Sequence, residues 1–227
     1  MKSKLAILGS AFVIGLSGAM MPGPLLSASI GYTLDRGFWA GGPLLVLGHA
    51  VLELALVVLV LAGLGPLLSR KTVGAVIGVV GGAVLLWMGY GMASFAAGAP
   101  AVDATRGTLP VLWGGPVVAG ILISLANPYW SLWWATIGLK YIALARDAGR
   151  LGIAAFTTGH ILSDAAWYLL VAAAVAAGRR AVSPTLYRWL IAACGLVLIA
   201  FGILFLLAGA RHLLRTRRTP AGEPQCD

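Results

Sequence analysis

Charge is what this sequence has least of. Only 10% of its 227 residues are Asp, Glu, Lys or Arg, against roughly a quarter in an ordinary soluble domain. So few charges cannot cover a surface in water, and the mean hydropathy of +0.95 points the same way. Several apolar runs exceed the ~18 residues that cross a bilayer, so the chain reads as an all-α, polytopic membrane protein. Cysteine is scarce too: Cys194 lies in an apolar run and Cys226 near the C-terminus, with neither a CxxC spacing nor a disulfide framework to be made of them. No Walker loop, His-Glu-x-x-His pair or Gly-x-Ser-x-Gly elbow occurs. Direct ATP hydrolysis, zincin chemistry and serine-hydrolase chemistry therefore have no support, and the expectation is a protein that is not an enzyme and needs no cofactor.

What charge there is lies at the ends of apolar runs. The net charge of +9 therefore reflects membrane topology rather than a nucleic-acid partner; the partner is the lipid bilayer. Six spans are expected, at about 5–30, 39–64, 72–95, 111–139, 151–177 and 186–210. Asp35-Arg36 is read as the first turn, and Gly65-Pro66 as the close of the second span. The longest loop, 96–110, holds Asp103 and Arg106 and separates a first unit (1–95) from a second (111–210), with a basic tail at 211–227 whose last residues, 219–227, have a disordered composition. With six spans, eleven Lys and Arg fall on one side and five on the other. The positive-inside rule then places both termini in the cytoplasm and the protein in the plasma membrane. Lys2, Lys4 and a small-residue stretch at Ser17-Gly18-Ala19 also fit a cleaved signal peptide, but apolar character continues past Ala19, so retention of the segment is expected.

The two halves echo each other. Each opens with a span broken by proline: Pro22-Gly23-Pro24 in the first, Asn127-Pro128 in the second. A proline removes a backbone donor and crowds the preceding turn, so neither segment can be one uninterrupted helix. Each half continues with a span bearing Gly-His-x-x-x-acid, as Gly48-His49 to Glu53 and Gly159-His160 to Asp164. Three spans per half is an odd number, so the second half enters the membrane in the opposite direction. Two inverted three-helix repeats with broken first and fourth helices are an architecture of secondary transporters, and their broken segments mark the binding site. Pro22, Gly23, Pro24, Asn127, Pro128, Tyr129 and Trp130 are accordingly the candidate substrate-binding residues. Kinks without function are the competing reading.

Histidine and acid four residues apart share one helix face. An ionisable group in mid-span costs about 2.5–3.5 kcal/mol or more, which makes a functional role the default. Three roles compete for His49, Glu53, His160 and Asp164. They could relay protons, since burial brings imidazoles and carboxylates within reach of working pH. They could hold a divalent metal as two imidazoles and two carboxylates, in a metal transporter or a metal-dependent membrane enzyme. They could simply lock helices together.

Among the aromatics, Trp130, Trp133 and Trp134 share a face, turned either inward to a substrate or outward to the lipid interface. Trp39 and Trp189, near span ends, read as interfacial anchors, and Trp167 and Tyr168 as packing. Gly74, Gly78 and Gly82 at four-residue spacing form a face for close helix approach, within the chain or in a homodimer.

Met-Pro-Gly-Pro in the first span (Met21 to Pro24), Asn127-Pro128 in the fourth, six spans and this length together resemble the lysine exporter (LysE/RhtB) family. The resemblance covers nearly the whole chain. It implies export of amino acids or similar small polar solutes, driven by a proton or ion gradient, with the broken spans lining the substrate site. Members commonly have aspartate where this chain has Leu25, and lysine where it has Tyr129, and the histidine–acid pairs lie outside the family pattern. Fold and class carry over more directly than the substrate.

Overall fold

The computed structural model describes residues 3–68, 70–97, 115–178 and 183–218. Every regular element among them is helical. The loop carrying Asp103 and Arg106, the pair Arg179-Arg180 and the segment 219–227 with Cys226 lie outside the described residues.

Helix α1 (Lys4–Ala19) starts where the Ser3 hydroxyl accepts a hydrogen bond from the Ala6 amide at 3.1 Å, an ordinary N-cap. It ends at the first proline cluster. Gly23, in an extended conformation, restarts the chain with Pro24 as the first residue of α2 (Pro24–Arg36). Proline suits that first position because its missing donor would have had no partner there. The two axes meet at 81°. Asp35 and Arg36 form the last turn of α2, and the reversal comes one residue later, at Gly37 with φ 86°. There a side chain would be strained.

Helix α3 (Ala40–Leu68) opens on a π-helical turn, Ala40–Leu44 around Pro43, and is broken by a kink at Gly63, whose φ of 114° is not helical. The regular helix thus breaks two residues before Gly65-Pro66, which begins a short further piece, Gly65–Leu68. Helix α4 (Lys71–Ala96) follows. The second broken element consists of α5 (Gly115–Leu125), α6 (Pro128–Trp133), a π-helical turn at Trp134–Gly138 and α7 (Leu139–Arg146). Its break uses the same device as the first: Pro128 is the first residue of α6, and Asn127 caps it by accepting from the Tyr129 amide at 3.1 Å. Helices α8 (Gly149–Gly178) and α9 (Pro184–Arg218) complete the bundle. The tail expected from residue 211 starts as helix, with Arg211 and Arg215 on the last turns of α9.

Ala40–Leu68, Lys71–Ser94, Gly149–Gly178 and Arg188–Arg215 are long and apolar enough to cross a membrane, and the bent pair α1–α2 makes a fifth span if counted as one. The expected fourth span is divided among short pieces, and residues 111–114 of it are outside the described residues. The helices pair across the two halves: α1 packs on α8, α3 on α5, and α4 on α9. Glycine permits the approach. A Cβ on Gly48 would meet the Val117 carbonyl of α5, and one on Gly159 would meet the Leu8 carbonyl of α1. In α4, a Cβ on Gly82 would stand 2.8 Å from the Gly202 carbonyl and one on Gly78 3.1 Å from the Phe205 carbonyl, while Gly74 has nothing within 4 Å. Two of the three stripe glycines are thus taken up within the chain.

Candidate functional site

The Gly-His-x-x-x-acid stretches of α3 and α8 face each other. Each glycine seats its helix against the broken helix of the other half, and the histidine one residue later is carried into the space between them. His49 and Glu53 on α3, and His160 and Asp164 on α8, are all buried; Glu53 is 2% and Asp164 4% exposed. His160 Nε2 lies 3.0 Å from Glu53 Oε1, and His49 Nε2 lies 3.2 Å from the same oxygen. Asp164 Oδ2 stands 3.6 Å from His160 Nε2 and 3.8 Å from His49 Nε2.

Glu53 Oε1 has further donors. The indole N–H groups of Trp134 and Trp130 donate to it at 3.1 and 3.2 Å. One carboxylate oxygen with two lone pairs thus faces two indoles and two imidazoles. Glu53 Oε2 and Asp164 Oδ2 are buried with no hydrogen-bond partner.

The histidines are held differently. His49 Nδ1 shares a 2.7 Å hydrogen bond with Ser124 Oγ of α5 and its ring meets Tyr168 edge-on, centroids 6.4 Å apart. His160 Nδ1 is buried without a partner. Its ring stacks on Trp133 at 4.6 Å and meets Trp134 edge-on at 5.0 Å. Ser124 lies seven residues after Val117, and Gly15 lies seven after Leu8. Gly15 therefore occupies beside His160 the place that Ser124 has beside His49, and a Cβ on it would stand 2.8 Å from His160 Nδ1.

A cavity of about 40 Å³ opens onto this cluster, lined also by Asn127, Tyr129 and Trp130. That volume suits about three waters and is far too small for an amino acid. Pro22 and Gly23 line a neighbouring space of about 10 Å³, which Asn127 and Tyr129 also reach. A Cβ on Gly23 would lie 3.8 Å from Asn127 Nδ2, so the two helix breaks face each other. Pro24 and Pro128 line neither space. Both are buried, and Pro128 is packed against Gly81 of α4.

The three tryptophans turn inward, with Trp133 and Trp134 buried, whereas Trp39 and Trp189 are each 71% exposed. Tyr168, expected only to pack, lines the cavity. Ser124 and the stacking role of Trp133 had no clear sequence signal: a lone serine in an apolar helix looks like any other small residue.

A bundle of apolar helices closed around a buried cluster of ionisable side chains, beside which two helix breaks meet, is the architecture of a multi-pass membrane protein. The chain belongs to the LysE type translocator family, whose profile matches residues 16–209. It is 25% identical over 206 residues to the "Putative amino acid efflux protein YcgF" of Bacillus subtilis (strain 168), covering 90% of this chain and 97% of that protein. No solved structure matches it at a significant level.

Proposed function

We propose that this protein is a secondary transporter in the plasma membrane that exports amino acids or similar small polar solutes by proton-coupled alternating access, with both termini cytoplasmic. One observation carries the reading: the two histidine–acid pairs, one from each half, line a single cavity with Asn127 of the second break, and the first break lines the space next to it, which Asn127 also reaches. The name of the Bacillus relative, an amino acid efflux protein, supports the substrate class. The pairing of helices across the halves supports two inverted three-helix repeats, because exchanging the halves maps each pair onto another pair or onto itself.

In this mechanism the prolines and glycine at 22–24 and 128 supply the breaks. Asn127, Tyr129 and Trp130 offer the substrate an amide, a hydroxyl and an indole. Substrate enters only when the cavity widens, since its present volume excludes an amino acid. Protons bind and leave His49, Glu53, His160 and Asp164, whose side chains lie close enough to pass a proton from one pair to the other. Of the stripe offered for a homodimer, Gly74 is the member left open.

Purified protein in proteoliposomes tests this. Labelled amino-acid counterflow should be accelerated by an imposed pH gradient and fall at least tenfold in both Glu53→Gln and Asp164→Asn. Undiminished, gradient-sensitive counterflow in those variants would remove the four residues from the coupling step.

A further inference from the structure

We propose that His49, His160, Glu53 and Asp164 form a binding site for one divalent ion of the Zn²⁺ class, and that its occupancy blocks the transport cavity. The geometry is the first ground. Ligands about 2.0–2.1 Å from a tetrahedral zinc stand about 3.3–3.4 Å from one another. Of the six separations in such a site, the four between an imidazole and a carboxylate are 3.0, 3.2, 3.6 and 3.8 Å; ligand atoms of His49, Glu53 and Asp164 all lie within 4.8 Å of one another, and His160 joins them through Glu53 and Asp164. The 3.2 and 3.6 Å separations follow from four-residue spacing on one helix, but those of 3.0 and 3.8 Å join α3 to α8, and no local motif imposes them.

The second ground is an atom with nothing to do. Asp164 Oδ2 is buried, points at both Nε2 atoms and has no hydrogen-bond partner, an arrangement that costs free energy unless something else meets it. A cation between the four atoms would meet it. It would also ease the crowding at Glu53 Oε1: the imidazoles would turn Nε2 lone pairs to the ion, leaving that oxygen facing the ion and two indole donors in place of four donors.

The third ground lies behind the ligands. A metal-bound imidazole commonly gives its other N–H to a fixed acceptor, and Ser124 Oγ stands 2.7 Å from His49 Nδ1. Two nitrogen and two oxygen ligands suit Zn²⁺, or Mn²⁺ less well, and not the all-oxygen shells of Ca²⁺ and Mg²⁺. Two carboxylates would balance the charge of the ion.

The ion is a block rather than cargo. The space at the cluster, about 40 Å³, has room for an ion and no room for an amino acid beside it. The ligands come from both halves, so an ion held there ties α3 to α8. That blocking role rests on the transport reading above; the binding does not.

Full-length protein freed of metal in detergent is titrated with Zn²⁺ by calorimetry, and with Co²⁺ by visible absorption. One equivalent per chain and the intense bands of tetrahedral Co²⁺ are expected. Ser124→Ala should weaken binding roughly 10- to 100-fold, and a His49→Ala, His160→Ala variant should abolish it. Monodispersity on a sizing column qualifies each variant, and the mild Ser124→Ala keeps the test intact if the double variant misfolds. Absence of stoichiometric binding, or equal binding by wild type and both variants, overturns the site. In proteoliposomes Zn²⁺ should stop wild-type counterflow and a chelator restore it. Binding without inhibition overturns the block and leaves the site standing. Absence of counterflow even without metal sinks the transport reading alone, because the calorimetry does not depend on it.

Discussion

Glu53 Oε1 is the most contested atom in the molecule, facing two imidazoles and two indoles. Removing it strands buried donors, each costing about 1–3 kcal/mol. Glu53→Ala should therefore destabilise the protein by at least about 3 kcal/mol, while Glu53→Gln, which keeps an acceptor, should cost less than half of that. Thermal unfolding in detergent, followed by tryptophan fluorescence, separates the two. Equal losses would mean that the indoles find other partners. Ser124→Ala leaves His49 Nδ1 unpaired and should cost about 1–2 kcal/mol by the same measurement. At this scale the sequence was partly legible. Charged groups in mid-span are too costly to be accidental, so the four ionisable residues stood out. Ser124 did not, because a small hydroxyl is at home in any apolar helix; Trp133 stood out only as one of a tryptophan face, and Tyr168 only as packing.

Among the elements, the two Gly-His helices depend on backbone approach. Gly48→Ala and Gly159→Ala drive a Cβ into a carbonyl of the partner helix, where backbone has to move; overpacking of this kind costs about 1–3 kcal/mol, occasionally more. Both variants should show lower melting temperatures or fail to yield monodisperse protein. Gly74→Ala is the control: nothing lies within 4 Å, and alanine is the better helix former by about 1 kcal/mol. A Gly74→Ala melting point at or above wild type, beside depressed values for the other two, is the expected pattern. The helix breaks were legible because proline leaves no choice of conformation. The π-helical turn at Trp134–Gly138 was not, since no residue in it forces the backbone the way a proline does. Gly65-Pro66 reads as the close of the span, and the break falls two residues earlier, at Gly63.

Taken whole, the molecule joins its halves chiefly by three cross-paired helix contacts, with further contacts such as α3 on α8 between them. Alternating access requires those contacts to shift. A Cβ on Gly42 of α3 would stand 3.1 Å from the Ala172 Cβ of α8, a few tenths of an ångström short of the about 3.5–4.5 Å of a disulfide. A Gly42→Cys, Ala172→Cys variant should cross-link on oxidation, lose counterflow and regain it with reductant. Full activity in the oxidised, cross-linked protein would exclude relative motion of α3 and α8. The division into halves was legible in the repeated motifs. Which helix of one half lies on which helix of the other was not, because pairing depends on shapes such as Gly48 against Val117 that only three dimensions reveal.

The hydroxyl beside His49 and the bare glycine beside His160 bear on where such a transporter rests. Under the proposed cycle the halves trade roles as the cavity opens first to one side and then to the other. Were they identical, the two facing states would have equal energy in a symmetric bilayer and be equally populated. One hydrogen bond of about 1 kcal/mol, strengthened in one state and slackened in the other, is a roughly fivefold difference in population. Under that cycle such a difference would give the transporter a preferred facing state before any substrate or gradient is applied, and the Ser124 hydroxyl would be one of the atoms that sets it.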